Sequence, residues 1–319
     1  MAGHGQPRRP KGARGGGQWR RMSHAEPDPD ISLGHRSSKR QDTDISGNIL
    51  YPYGMLQSTD AQLIESFHLL FLQALGSNRS RGWYVLKGGA NIRYFFGSHR
   101  YSNDIDLDIV DKEGWQVEEA VNSVLHGPAL RVIAIKAGIE VTDLSSPKQT
   151  DTTRRWKLEL GRLKAPGYPV RTKIEFSARS IASDDVEFSR VPDDIVAPYG
   201  MASPTVQHYG LTAAAEQKIA ALALRSATKA RDVFDLDLLL RQMGAKPASI
   251  RSLAAENALE AADRAIDVTY AAYRSEVLPF IDPEVLAIYE QKEMWETMRE
   301  RVVKQLELLA DRHGKGETR

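Results

Sequence analysis

Residues 83–109 read WYVLKGGANIRYFFGSHRYSNDIDLDI, and the alternation that closes this stretch constrains everything around it. In a strand, residues two apart point the same way, so Asp104, Asp106 and Asp108 share one face. Ile105, Leu107 and Ile109 share the other face and reach a core. Like charges stacked along one face repel, and a buried carboxylate either picks up a proton or needs a counterion. A divalent cation is the usual remedy, and carboxylate oxygens favour Mg²⁺, Mn²⁺ or Ca²⁺ over zinc. On alternation alone a second reading stands beside this one: an edge strand whose solvated aspartates block aggregation.

The segment just upstream shifts the balance. Trp83 to Leu86 is strand-like, and Lys87-Gly88-Gly89 breaks it. Paired glycines let a backbone approach a ligand closely and turn its N–H groups toward phosphate. A phosphate-binding turn beside an acid strand reads as a metal–nucleotide site.

Two further stretches add charged side chains in ordered patterns. Val170-Arg-Thr-Lys173-Ile-Glu175-Phe176 alternates, so Lys173 and Glu175 share a face while Ile174 and Phe176 face a core. If this strand lies beside Asp104 and Asp106, Glu175 becomes a third carboxylate; otherwise it is an ordinary exposed Lys/Glu face. Leu211 to Arg225 is a strong helix by propensity, with Lys218 and Arg225 close to one face and Ala221 between them. Arg231-Asp232-Val-Phe-Asp235 opens another helix on which Asp232 and Asp235 are surface neighbours.

Together these blocks resemble the AbiEii/MenT nucleotidyltransferase toxins of bacterial toxin–antitoxin systems. The resemblance rests on Leu-Lys-Gly-Gly, then an aromatic run, then Arg-x-Ser-x-Asp-x-Asp-Leu; on Lys173-Ile-Glu175; and on Glu216-Gln-Lys218, Arg225 and Arg231-Asp232-Val-Phe-Asp235-Leu. It covers roughly residues 60–240. It implies an α+β fold, a nucleotidyltransferase-like mixed sheet followed by a helical C-terminal domain. It also implies an NTP substrate, Mg²⁺ or Mn²⁺, an RNA acceptor such as the end of a tRNA, and a cognate antitoxin.

On that reading Asp104, Asp106 and Glu175 are the metal ligands, with Glu175 also helping to deprotonate the acceptor hydroxyl. Two ions about 3.5–4 Å apart would stabilise the entering and leaving oxygens. Lys87, Gly88, Gly89 and Ser102 lie near the phosphates, and Lys173, Arg231 and Asp235 also bind nucleotide. Lys218 neutralises the triphosphate, with Asp232 positioning Lys218 or the nucleotide. The alternatives are nucleotidyl transfer to a small-molecule or protein hydroxyl, and a non-catalytic RNA- or protein-binding module.

Composition removes competitors. The chain has no cysteine, which excludes disulfides, zinc–thiolate sites and thiol catalysis. It has neither a Gly-x-x-x-x-Gly-Lys-Ser/Thr loop nor His-Glu-x-x-His. No apolar run approaches a membrane span of about 20 residues, so a cytoplasmic enzyme without a membrane partner is expected. The net charge of +1 hides a skew: residues 1–41 hold nine Lys or Arg against three acids. We therefore read residues 1–44 as a disordered basic tail, either able to meet RNA phosphates or an inert extension, residues 45–204 as the nucleotidyltransferase-like domain, and residues 205–319 as helical.

Local signals complete the expectation. Ser58-Thr59-Asp60 reads as a helix cap before an apolar-periodic run that Gly76 ends. Val132 to Ile135 fits either a helix or a strand, and Ser145 to Thr153, with Pro147, reads as a loop. A hairpin joins strands around 154–160 and 170–176. Pro247 and Pro279 to Pro283 punctuate the helices, and Glu284 to His313 reads as one long helix with an apolar stripe.

Overall fold

The computed structural model describes residues 59–76, 82–164, 167–179, 181–244, 250 and 256–316. The readings made for residues 1–44, Ser58 and Pro247 lie outside these. Helix α1, Asp60–Gly76, begins where a cap was expected. The Gln62 backbone N–H donates to Thr59 Oγ1 at 3.2 Å, and the Thr59 N–H donates to Gln62 Oε1 at 2.9 Å. This reciprocal pair satisfies two of the N–H groups that a helix start leaves unpaired.

Seven strands form one mixed sheet among the described residues: β1 (Tyr84–Lys87), β2 (Asp104–Ile109), β3 (Ile139–Gln149), β4 (Thr153–Arg162), β5 (Val170–Ala178), β6 (Val186–Arg190) and β7 (Thr205–Tyr209). Their order across the sheet is β3-β4-β5-β2-β1-β7-β6, so the acid strand β2 is central rather than an edge. It runs antiparallel to β1 and parallel to β5. One sheet face carries Ile105, Leu107, Trp156, Leu158, Ile174 and Phe176 into a core with Phe67 and Phe71 of α1 and Val117 and Val121 of α3 (Gly114–Leu125). The opposite face, at β2, carries the aspartates.

The structure departs from the sequence reading in several places. Val132 to Ile135 belongs to a helix, α4 (Pro128–Lys136), with Pro128 in its first turn, where a missing N–H costs nothing. Ser145 to Gln149 is not loop but the end of β3. The ladder to β4 steps over Ser146 and Pro147, because its register shifts between Ser145 and Lys148, which accommodates a residue with no N–H to give. Thr205 to Tyr209, expected to be helical, is the strand β7 packed between β1 and β6, and the helix begins only after Gly210. The last long helix is divided into α10 (Leu286–Tyr289) and α11 (Lys292–Gly316).

Helix α2 (Gly88–Phe95) follows β1 without a linker. After the short α5 (Asp193–Val196), helices α6 (Leu211–Leu224), α7 (Ala230–Met243), α8 (Ala258–Ile266), α9 (Tyr270–Glu276) and α11 build a second core. There the Tyr273 and Trp295 rings stack at 4.5 Å, with Val233, Leu236, Val302 and Leu306 around them. Ile92 of α2 joins this second core, so α2 links the sheet to the helices. Trp295, Met298, Val302 and Leu306 are all buried, which makes α11 a packing helix.

Candidate active site

Strand register brings the first block together. Lys87 on β1 lies across from Asp106, and Asp106 pairs in turn with Glu175 on β5; Asp104 pairs with Lys173. The expected placement of Glu175 beside the acid strand is therefore met at the level of the backbone. Directly paired residues point to the same face, so Lys87, Asp104, Asp106, Lys173 and Glu175 form one surface.

The glycine turn is pressed against that surface. Gly88 has φ +70, a left-handed conformation that a side chain would strain, and a Cβ there would stand 3.2 Å from Asp106 Oδ2. A Cβ on Gly89 would stand 2.7 Å from Ser102 Oγ and 2.9 Å from Arg100 Nη2. The turn thus opens α2 against an acid, a hydroxyl and a guanidinium. No side chain caps the start of α2, which leaves its first N–H groups available to an anion. Ser102 donates its hydroxyl to the Asp104 carbonyl at 2.8 Å, which fixes the entry to the acid strand.

Each outer carboxylate has a cation. Lys173 Nζ is 2.9 Å from Asp104 Oδ2, and Arg155, on β4, reaches Glu175 Oε2 at 2.6 Å. Burial pushes the Asp106 carboxyl above its ordinary range. Lys173 and Lys87 pull it back, while Asp104 and Glu175 push it further up. Lys87 itself is held by Asp108, the third aspartate of the strand.

The donor chemistry suits a hard divalent ion in part. Asp104 and Asp106 offer half-buried carboxylate oxygens from one strand face, and the upward push on Asp106 from Asp104 is the repulsion an ion would relieve. Among the described residues, no group of three or more His, Asp or Glu stands close enough to hold a metal ion. The aspartate pair fits the ion, with Asp104 shared with Lys173, and Glu175 is engaged by Arg155.

The second block is buried. Lys218 on α6 lies between two carboxylates of α7, 2.8 Å from Asp232 Oδ1 and 2.7 Å from Asp235 Oδ2. Arg225 closes on Asp232 Oδ2 at 2.6 Å, so the two cations placed on one face of α6 do converge, on a shared acid. Arg100 grips Asp235 with both arms of its fork, Nε at 3.0 Å and Nη2 at 2.7 Å. Burial alone would raise the Asp235 carboxyl, but Arg100 and Lys218 outweigh it and hold it below the usual carboxylate range. Arg231 stands partly exposed in the first turn of α7.

Arg100 is the residue that sequence reasoning missed. It is 4% exposed, it bonds Asp235, and it borders Gly89, so it joins the glycine turn to the helical cluster. Its place in Arg-x-Ser was the available signal. Asp108 was read as a member of the acid face but given no task.

The family model described as "Nucleotidyl transferase AbiEii toxin, Type IV TA system" matches residues 71–313. No curated protein matches the chain. Among solved structures, JHP933 from Helicobacter pylori aligns with a TM-score of 0.50 at 18% identity, over 82% of this chain and 99% of its own. A candidate nucleotidyltransferase from Helicobacter pylori aligns with a TM-score of 0.51 at 19% identity, over 79% of this chain and 99% of its own. MenT4, a nucleotidyltransferase toxin from Mycobacterium tuberculosis, aligns with a TM-score of 0.48 at 18% identity, over 79% of this chain and 92% of its own. At such identities the two Helicobacter pylori structures show a shared fold. The family match spans well over half of the chain and takes in the glycine turn, the acid strand and the Lys218 cluster, so the chain belongs to the AbiEii nucleotidyltransferase toxin family and is a nucleotidyltransferase.

Proposed function

We propose that this enzyme transfers a nucleoside monophosphate from an NTP to a hydroxyl of RNA, the acceptor end of a tRNA, and that a cognate antitoxin neutralises it. The observation that carries the reading is the three-strand register in which Asp106 lies between Lys87 and Glu175, with the start of α2 against it. Asp104 and Asp106 would hold Mg²⁺ or Mn²⁺, which supplies charge neutralisation at the triphosphate when bound.

The chain's own groups do the rest. The first N–H groups of α2, at Gly88 and Gly89, donate to phosphate oxygens, and Ser102 adds a hydroxyl beside them. Lys218 offsets charge that develops on the phosphates, held ready by Asp232 and Asp235. Lys87, Lys173 and the partly exposed Arg231 add positive charge around the same substrate. The acceptor oxygen attacks the α-phosphorus in line, the bond to the bridging oxygen breaks, and pyrophosphate leaves. Glu175 takes the hydroxyl proton once the Arg155 guanidinium, still charged, has turned from it toward solvent or the incoming phosphate. Among the described residues no helix is long and apolar enough to cross a membrane. We place the reaction in the cytoplasm, where tRNA and NTPs are found.

The test is a labelling reaction: full-length protein, total RNA, Mg²⁺ or Mn²⁺, and each α-labelled NTP in turn. Label on RNA of tRNA size with at least one nucleotide, abolished by chelator, is the expected result. Label on protein or on a small molecule would move the acceptor, and no label with any nucleotide would refute the reading.

A further inference from the structure

We propose that Asp108, together with Tyr209, is a positioning residue that sets the phosphate turn and the Lys218 helix in their relative places. The inference rests on the reading above, in which Lys87 and the start of α2 meet the triphosphate. Asp108 has the strand parity of Asp104 and Asp106 but not their exposure: it is 1% exposed. A buried carboxylate must be matched, and three groups match it. The Lys87 ammonium reaches Oδ1, the Tyr209 hydroxyl donates to Oδ2 at 2.8 Å, and Arg179 Nε lies 3.9 Å from Oδ1.

What those partners do next gives the contact its meaning. Lys87 is the residue before the first turn of α2, so fixing its ammonium fixes the side chain at the mouth of the phosphate turn. Across the β1–β2 ladder Lys87 faces Asp106, yet its ammonium goes to Asp108, one pleat further along the strand. The long side chain has therefore lost its rotamer freedom before any nucleotide arrives, which is how preorganisation favours binding. Tyr209 ends β7, and Gly210 after it caps α6, the helix that carries Lys218. Asn91 of α2 also donates to the Tyr209 carbonyl at 2.9 Å. Asp108 on β2 thus ties the ends of β1 and β7 together, and each of those ends launches a helix of the site. Burial and the Asp108 charge both push the Tyr209 phenol upward, so it remains a donor at neutral pH.

The experiment is a double-mutant cycle on the full chain with Lys87→Met, Asp108→Asn, Tyr209→Phe and the two double variants that contain Lys87→Met. Binding of ATP, CTP, GTP and UTP with Mg²⁺ is measured by calorimetry, the KM and kcat of label transfer are measured with total RNA, and thermal midpoints are recorded alongside. Asp108→Asn is expected to raise nucleotide Kd and KM about tenfold, and Tyr209→Phe about threefold. In the Lys87→Met background both effects should disappear, which a purely structural role would not produce. Should Asp108→Asn fail to fold, the Tyr209→Phe arm decides alone. Losses that multiply, or that appear only in the thermal midpoint, overturn the proposal. If Lys87→Met binds nucleotide like the parent, the reading of Lys87 itself fails and takes this proposal with it. If Lys87→Met is impaired but uncoupled from Asp108 and Tyr209, only this proposal fails.

Discussion

Replacing Gly89 with alanine separates a turn that cradles phosphate from one that merely bends the chain. Alanine is the better helix former, by about 1 kcal/mol in a helix interior, so backbone conformation raises no objection here. The cost is steric. The new methyl would stand 2.7 Å from Ser102 Oγ, 2.9 Å from Arg100 Nη2 and 3.2 Å from Ser102 Cβ. Rotating the Ser102 hydroxyl away forfeits its 2.8 Å bond to the Asp104 carbonyl, worth about 1 kcal/mol. Moving Arg100 loosens a buried two-armed grip on Asp235, where hydrogen bonds to charged groups are worth about 1.5–3 kcal/mol. Set against the helix gain, the net loss of stability is about 1.5–3 kcal/mol, within the margin of a stable domain, so the variant folds.

Activity is the sharper readout, because the displaced groups border the site. A shift of about 1 Å at groups that position a substrate costs about 10²-fold, and the methyl also fills the approach to the turn. Label transfer should fall by at least that factor while urea denaturation shows only the modest loss. Gly97→Ala is the control: φ is +66 with nothing within 4 Å of the added Cβ, so it carries about 1 kcal/mol of backbone strain and leaves transfer unchanged. Full activity in Gly89→Ala would refute the cradle.

Three further outcomes follow from the geometry. Lys218→Met leaves Asp232 and Asp235 buried with only Arg225 and Arg100, and should cost about 3–5 kcal/mol in urea unfolding, with transfer reduced about 10²–10³-fold. Asp104→Asn and Asp106→Asn are nearly isosteric; they should abolish transfer and remove any rise in thermal midpoint that Mg²⁺ or Mn²⁺ gives the parent, while the far-UV spectrum is unchanged. His68, fully buried against Thr172 Oγ1, is lowered by burial from 6.5 to about 3. Its folded-state value lies below its unfolded one, so the unfolded chain takes up the proton first and stability falls as pH drops from 6.5 toward 3. The ceiling on that loss is about 4–5 kcal/mol, and His68→Gln should flatten this part of the pH–stability curve.

The parts of this site legible in the sequence were those fixed by short-range periodicity. Alternation over Asp104–Asp108 and Lys173–Phe176 set which residues share a face, and the two strands then needed only to lie side by side. Elements without a one-sided pattern were lost. Strand β3 is exposed along most of its length, so it has no apolar face to announce it, and Pro147 reads as a breaker when it is in fact stepped over. Strand β7 is five residues long and runs at once into a strong helix, whose propensity swamps it. The long-range ties could not be read at all. Arg100 and Asp235 are 135 residues apart, and Tyr209 and Asp108 are 101 apart. Parity says which way a side chain points, not which distant group meets it.

The charges of the two halves explain why such a site would wait for a metal–nucleotide rather than collapse on itself. On the strand side, Asp104, Asp106 and Glu175 face Lys173 and Arg155, which leaves one negative charge in excess. On the helix side, Lys218, Arg100 and Arg225 face Asp232 and Asp235, which leaves one positive charge in excess. The helix-side surplus is not spent on the strand side, because Lys218, Arg225 and Arg100 are already held by Asp232 and Asp235. On the proposed function, a cation at the acid pair and a polyphosphate at the start of α2 would be carried by one ligand, which would satisfy the two halves together.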